Sequence, residues 1–287
     1  MTFAQTVTLG ALAGATIFLG LPLARLGTLS ARTRVALAMF AVGILAFLFV
    51  DVFEHAFGIT EHAVEQWKTG HAGFGPAVWR VLLLAAGLSL GLAGLATGEA
   101  RLQRRRRETL PPMMGGATHE LSSGQLQAAA LVDAAARSRA LWTGMTIAAA
   151  IGLHNFAEGL AIGVSSRAGQ MSLATVLIVG FALHNATEGF GIVGPLGNVR
   201  PTWRWLAIAG LVGGGPTFLG TLVGWRVTSE PLELLFYALA GGAILYVIGE
   251  IWSAMRRHGH RELGLWMLVA GFVIGLVTDM VVVYGGG

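Results

Sequence analysis

Apolar residues fall in eight long runs, at 4–24, 33–55, 77–99, 140–164, 172–193, 203–225, 231–254 and 263–284, with polar or glycine-containing stretches between them. Each run has about the 20 residues that a helix needs to cross the hydrocarbon layer of a bilayer. Glycines recur inside the runs at close-packing spacing, as at Gly87, Gly91, Gly94 and Gly98. That composition suits helices packed on helices within lipid. The expected fold is all-α, a polytopic membrane protein with eight transmembrane helices.

Composition strengthens this reading. Hydrophobic residues make up 54% of the 287 and charged residues 12%, with a mean hydropathy of +0.68. The charged share is about half that of a soluble protein, which excludes a disordered chain and an ordinary cytosolic enzyme. Cysteine is absent, so disulfides and thiolate metal sites are excluded. The net charge of +4 would suit nucleic acid if the basic residues shared one soluble face. They lie between the apolar runs instead, so membrane lipids are expected as partners and nucleic acid is not.

Charge also orients the chain. The first run has no positive charge ahead of it, and Arg25, Arg32 and Arg34 follow it. It reads as a retained span with its N-terminus outside. Alternation then leaves Lys68, Arg80, Arg167 and Arg226 outside and the other 15 of the 19 basic residues inside. Both termini are therefore expected outside, in a cell membrane, most simply a bacterial inner membrane. The organisation is helices 1–3 in 1–99, a cytoplasmic loop at 100–139, helices 4 and 5 in 140–193, and helices 6–8 in 194–287. The inner loop opens on Arg104, Arg105, Arg106 and Arg107, and its alanine-rich stretch 120–139 is suited to extend the fourth helix inward. An outer connection at about 56–76 carries Glu61, His62, Glu65 and His71.

Ionisable residues in mid-membrane are costly and point to function. The fourth run holds His154, Asn155, Glu158 and Gly159, and the fifth holds His184, Asn185, Glu188 and Gly189. The pattern His-Asn-x-x-Glu-Gly thus occurs twice. At about 100° per residue, each glutamate falls between its histidine and its asparagine on one helix face. A hairpin turn near 168–171 brings the two copies level, near the bilayer middle. Two histidines, two glutamates and two asparagines then converge, a donor set suited to zinc and its neighbours.

The doubled motif, in consecutive helices of an eight-span chain with a long inner loop after the third span, resembles the ZIP (Zrt/Irt-like) metal transporters. The resemblance implies a divalent-cation pathway through helices two, four, five and seven, leading toward the cytoplasm. It also implies a binuclear site bridged by the two glutamates. By position, His154, Glu158, His184 and Glu188 would form one metal position, and Asn155, Glu158, Asn185 and Glu188 the other. Zinc would be the transported substrate, with iron, manganese and cadmium as further cargo. The sequence departs from the family in having Ala157 and Thr187 where a proline usually precedes the glutamate. Some relatives also add a carboxylate from the sixth helix, where this chain has Gly213, Gly214, Gly215, Pro216 and Thr217. That run can unwind to offer carbonyls or serve tight packing, and packing is the expected reading.

Further residues suit the two ends of such a path. Asp51, Glu54 and His55 share a face of the second helix, and Asp279 stands near the end of the eighth. Together they would make an acidic vestibule that concentrates cations. Glu250, in the seventh helix, matches an inner exit carboxylate of the family. The rival reading is an intramembrane zinc-dependent hydrolase, which would want an open ligand position and a separate acid or base. A homodimer is left open.

Overall fold

The structure, a computed structural model, describes residues 1–25, 30–98, 100–101, 123–167, 169, 171–226 and 229–285. The arginine run at 104–107 lies outside the described residues, as do Pro111, Pro112 and His119. So does the His184 side chain, although its backbone is helical.

Eight helical stretches follow one another, with no strand among the described residues. Helix α1 runs over Phe3–Arg25, its last five residues in a tighter 3-10 turn. Then come α2 (Ala31–Lys68), α3 (Phe74–Gly98), α4 (Ser123–Arg167), α5 (Met171–Val193), α6 (Trp203–Arg226), α7 (Glu230–Met255) and α8 (Arg261–Gly285). Seven of them, all but α5, contain a described stretch long and apolar enough to cross a membrane. Helix α5 has 23 residues, about 35 Å, which is also a spanning length.

The starts obey local chemistry. Thr2 caps α1 in a reciprocal box with Gln5, and the Ser30 hydroxyl accepts from the Thr33 N–H at the start of α2. Two helices outgrow the bilayer. Helix α2 has 38 residues, about 57 Å, and α4 has 45, about 68 Å. The outer connection expected at 56–76 is therefore mostly helix. Glu61, His62 and Glu65 ride on α2, and only the turn that begins at Thr69 is non-helical, with Gly70 at φ 75°. The segment has no proline or glycine between Gly58 and Gly70, so nothing in it stops the helix.

Successive helices run antiparallel. One end of the bundle gathers Phe3, Arg167, Trp225 and Arg226, where Arg167 donates to the carbonyls of the last two. The Arg80–Glu230 ion pair ties the starts of α3 and α7. Arg25 and Arg137 donate to the carbonyls of Pro201 and Arg200, joining α1, α4 and the lead into α6.

Glycines sort the helices into two blocks. A methyl group added at Gly159 would strike the Thr217 carbonyl, and one at Gly220 the Phe156 carbonyl, so α4 and α6 touch backbone to backbone. Gly14 meets Gly214, and Gly20 meets Gly189, which adds α1 and α5 to this block. In the same way Gly43 and Gly271 join α2 to α8, and Gly91 and Gly242 join α3 to α7. Side chains of α2 and α7 complete the second block. Among the described residues, no glycine presses on backbone between the blocks. Gly191 and Gly194 meet Ala41 and Ala38 only at ordinary contact distances of 3.8 and 3.4 Å. The interface is built from side chains, including the Phe156 and Phe236 rings, 4.7 Å apart.

Burial ranks the helices. The apolar stretch of α4 is 72% buried and that of α2 61%, against 11% for α3 and 17% for α8. Helices α4 and α2, with α7 at 56%, thus form the inside of the bundle, and α3 and α8 turn large apolar side chains outward, as helices facing lipid do.

Candidate metal centre

The site grows from the α4–α5 hairpin. Helix α4 ends at Arg167, Gly169 turns the chain at φ 78°, and α5 begins at Met171. Both helices run unbroken through their motif copies, Ala157 and Thr187 included. The two copies meet. The Asn155 amide of α4 donates to Glu188 Oε2 of α5 at 3.0 Å, and His154 Nε2 lies 3.8 Å from Glu188 Oε1. Within α4, His154 Nε2 is 3.1 Å from Glu158 Oε1, the contact that i,i+4 spacing makes.

All of these groups are sealed from solvent. His154 is 1% exposed, Asn155 and Asn185 0%, Glu158 4% and Glu188 2%. Each asparagine spends its N–H₂ on a fixed acceptor. Asn155 also donates to the Gly213 carbonyl of α6, and Asn185 donates to the Ala13 carbonyl of α1, both at 3.0 Å. Their carbonyl oxygens are left over. The buried atoms without a hydrogen-bond partner include both ring nitrogens of His154, both oxygens of Glu158, Glu188 Oε1, and Oδ1 of Asn155 and of Asn185. With a neutral imidazole six of the seven are acceptors, and the other ring nitrogen of His154 carries the proton. Leaving one such atom buried and unpaired costs about 1–3 kcal/mol, and more for a charged group.

Nitrogen and carboxylate donors of this kind fit zinc and similar divalent cations, and the amide oxygens fit the same ions more weakly. The acids are here turned toward His154 and Asn155. Among the described residues, no three histidine or acidic side chains stand as a finished cage. The fourth expected donor, the His184 ring, lies outside the described residues.

The glycine–proline run of α6 stays helical, so it packs as expected, with Gly213 and Gly214 buried. It also offers a carbonyl without unwinding, that of Gly213, which holds Asn155.

Asp51, Glu54, His55 and Asp279 come together. Asp279 lies within electrostatic reach of His55 and Glu54, and Asp51 of His55, Asp279 and Glu54. His55 Nδ1 lies 2.9 Å from the Asp51 carbonyl oxygen. Asp51 sits in mid-helix, 17 residues before Lys68, about 26 Å along the axis. It is half-buried and also within reach of His154. Two groups on α7 were not singled out from the sequence. The Tyr237 ring packs 5.6 Å from that of His55, and Glu233, Asp51 and Glu158 lie within electrostatic range of its hydroxyl. Glu233 and Tyr237 share a face at i,i+4, which was the available signal. Glu250 lies half-buried near the other end of α7, apart from this group.

Comparison with known proteins adds independent findings. The family described as ZIP Zinc transporter matches residues 100–279, a stretch that contains both motif copies, Glu250 and Asp279. The chain is 35% identical over 134 residues to the zinc transporter GufA of Myxococcus xanthus, covering 46% of this chain and 53% of that protein. It is 28% identical over 141 residues to the zinc transporter ZupT of Clostridium perfringens, covering 47% and 49%. Against the zinc transporter ZIPB of Bordetella bronchiseptica it is 28% identical over 133 residues, covering 44% and 42%. The chain thus spans about half the length of the curated relatives it matches.

Proposed function

The chain belongs to the ZIP zinc transporter family, and on that premise we propose that it carries divalent metal, zinc first, through the membrane toward the cytoplasm. The observation that carries the reading is the set of seven buried polar atoms without a hydrogen-bond partner on His154, Asn155, Glu158, Asn185 and Glu188. A divalent cation gives a partner to one ring nitrogen of His154 and to the oxygens of Glu158 and Glu188 beside it, and it offsets the desolvation of two carboxylates in one place. Iron, manganese and cadmium accept the same donors.

The two blocks supply a way to move the cation. Every donor stands on α4 or α5, in the first block. Asp51, Glu54, His55, Asp279, Glu233, Tyr237 and Glu250 all stand on the second. Side-chain packing between the blocks can slide, whereas backbone contacts within them cannot. Motion of one block against the other would carry the bound ion from the acids beside Asp51 toward the end that holds Glu250, an alternating-access scheme. Asp51 and Tyr237 bridge the vestibule and the core donors. A hydrolase reading is not favoured. It needs a general base beside the metal, and both core glutamates are occupied as donors.

Direction rests on the end that holds Phe3, Lys68 and Arg167 lying outside. The absence of native cysteine gives a clean test. In intact cells Lys68→Cys should react with an impermeant thiol reagent, and His258→Cys should react only after the membrane is opened. The reverse pattern would turn the transporter around. In a strain without its own zinc uptake, expression should raise cell zinc and rescue growth on limiting zinc. Unchanged cell zinc would count against uptake.

A further inference from the structure

Four threonines are buried among the described residues: Thr6, Thr60, Thr217 and Thr221. A threonine inside a helix ordinarily satisfies its hydroxyl by donating to the carbonyl four residues back. Thr6 does so to Thr2, Thr60 to Ala56 and Thr221 to Thr217, at 3.1, 3.0 and 2.8 Å. Thr217 does not. It is 0% exposed, and its Oγ1 has no hydrogen-bond partner.

The reason lies in the site. The carbonyl four residues before Thr217 is that of Gly213, which accepts from the Asn155 amide at 3.0 Å. Thr217 therefore stands one turn along α6 from a group that already holds a motif side chain. Its own carbonyl abuts Gly159, the glycine that follows Glu158. On the other flank its Cβ faces Gly14, next to the Ala13 carbonyl that receives Asn185. The residue sits where α1, α4 and α6 meet, between the anchoring points of the two motif asparagines. A hydroxyl buried there with no partner costs about 1–3 kcal/mol, which the simple α-helical back-bond would have avoided.

We propose that Thr217 Oγ1 is a further donor to the transported cation, a neutral oxygen from α6 at the metal position that Asn155 and Asn185 serve. This rests on the metal-centre reading above. A hydroxyl, an amide oxygen and shared carboxylates make a harder, weaker site for zinc than the position that includes His154. The position with Thr217 then binds less tightly and releases its ion first.

The test uses purified full-length protein in detergent, with zinc and cadmium titrated calorimetrically and melting followed with and without metal. The variants are Thr217→Val, which keeps the shape, and Thr217→Ser, which keeps the hydroxyl. Without metal, Thr217→Val should melt at or above the wild-type temperature, because an unpaired buried hydroxyl has been removed. With metal it should gain less stability than wild type, and the weaker binding step should lose roughly tenfold in affinity, about the worth of one polar contact. Thr217→Ser should retain that step. A metal-free Thr217→Val protein that melts several degrees lower, with Thr217→Ser restoring it, would make the hydroxyl structural and overturn the proposal. So would unchanged binding in Thr217→Val while Glu188→Gln loses metal. Unchanged binding in Glu188→Gln as well would instead remove the metal centre on which the proposal stands.

Discussion

Glu188→Ala is expected to reduce zinc uptake to the level of cells without the protein, a loss of roughly 100-fold or more. Even partners that only support a metal ligand are worth about 10–100-fold, and Glu188 is placed as a ligand itself. Its Oε2 is held by Asn155 of the other motif copy, and its Oε1 faces His154 with no hydrogen bond. Alanine removes both links between α4 and α5 and one of the two charges that would neutralise the cation. His154→Ala should fall nearly as far. The sign of the stability change separates a ligand from a structural group. Glutamine keeps an oxygen to accept from the Asn155 amide and removes a charge that burial penalises, so metal-free Glu188→Gln should melt no lower than wild type. Uptake by radiolabelled zinc, normalised to protein in the membrane, reads the first effect. Wild-type rates in both alanine variants would remove these residues from the path.

Gly159→Val and Gly220→Val are expected to abolish the folded protein. A side chain at either site runs into a carbonyl of the opposing helix, Thr217 for the first and Phe156 for the second. Backbone cannot step aside as a side-chain tip can, so α4 and α6 must separate along their length. Overpacking of a tight core costs about 1–3 kcal/mol and sometimes more, and here the contact repeats through Gly152, Gly163 and Gly224. The comparison is Gly215→Ala, on the same helix, where an added methyl meets nothing within 4 Å. Size-exclusion profiles and melting curves should show little monodisperse protein for the two valine variants and near wild-type behaviour for Gly215→Ala. A well-folded Gly159→Val protein would show that the α4–α6 contact is looser than the structure has it.

Much of this was legible in the sequence because lipid imposes a simple code. Apolar runs of spanning length gave the helices, and the doubled His-Asn-x-x-Glu-Gly contains His154, Asn155, Glu158 and Glu188, which α4 and α5 bring together. The length of α2 beyond the membrane was less plain. Glu61, His62 and Glu65 look like loop residues when apolarity is the only guide, and helix continuation there shows only in the lack of glycine and proline. Pairings between helices were not legible at all. Nothing in the local pattern says that Asn155 reaches Glu188 rather than its own Glu158, that Gly213 lends a carbonyl to Asn155, or that Thr217 is denied one. Such contacts depend on the rotation of each helix, which the glycine contacts fix. The division into two blocks has the same origin, since a glycine's partner helix is a tertiary fact.

The most direct measurement places purified protein in liposomes that enclose a zinc-sensitive dye. Zinc added outside should raise the internal signal in wild-type vesicles well above empty ones, with saturation, and Glu188→Ala vesicles should match the empty control. Wild-type vesicles that bind zinc but pass none, or a Glu188→Ala protein that passes it at the wild-type rate, would contradict transport through the His154–Glu188 centre.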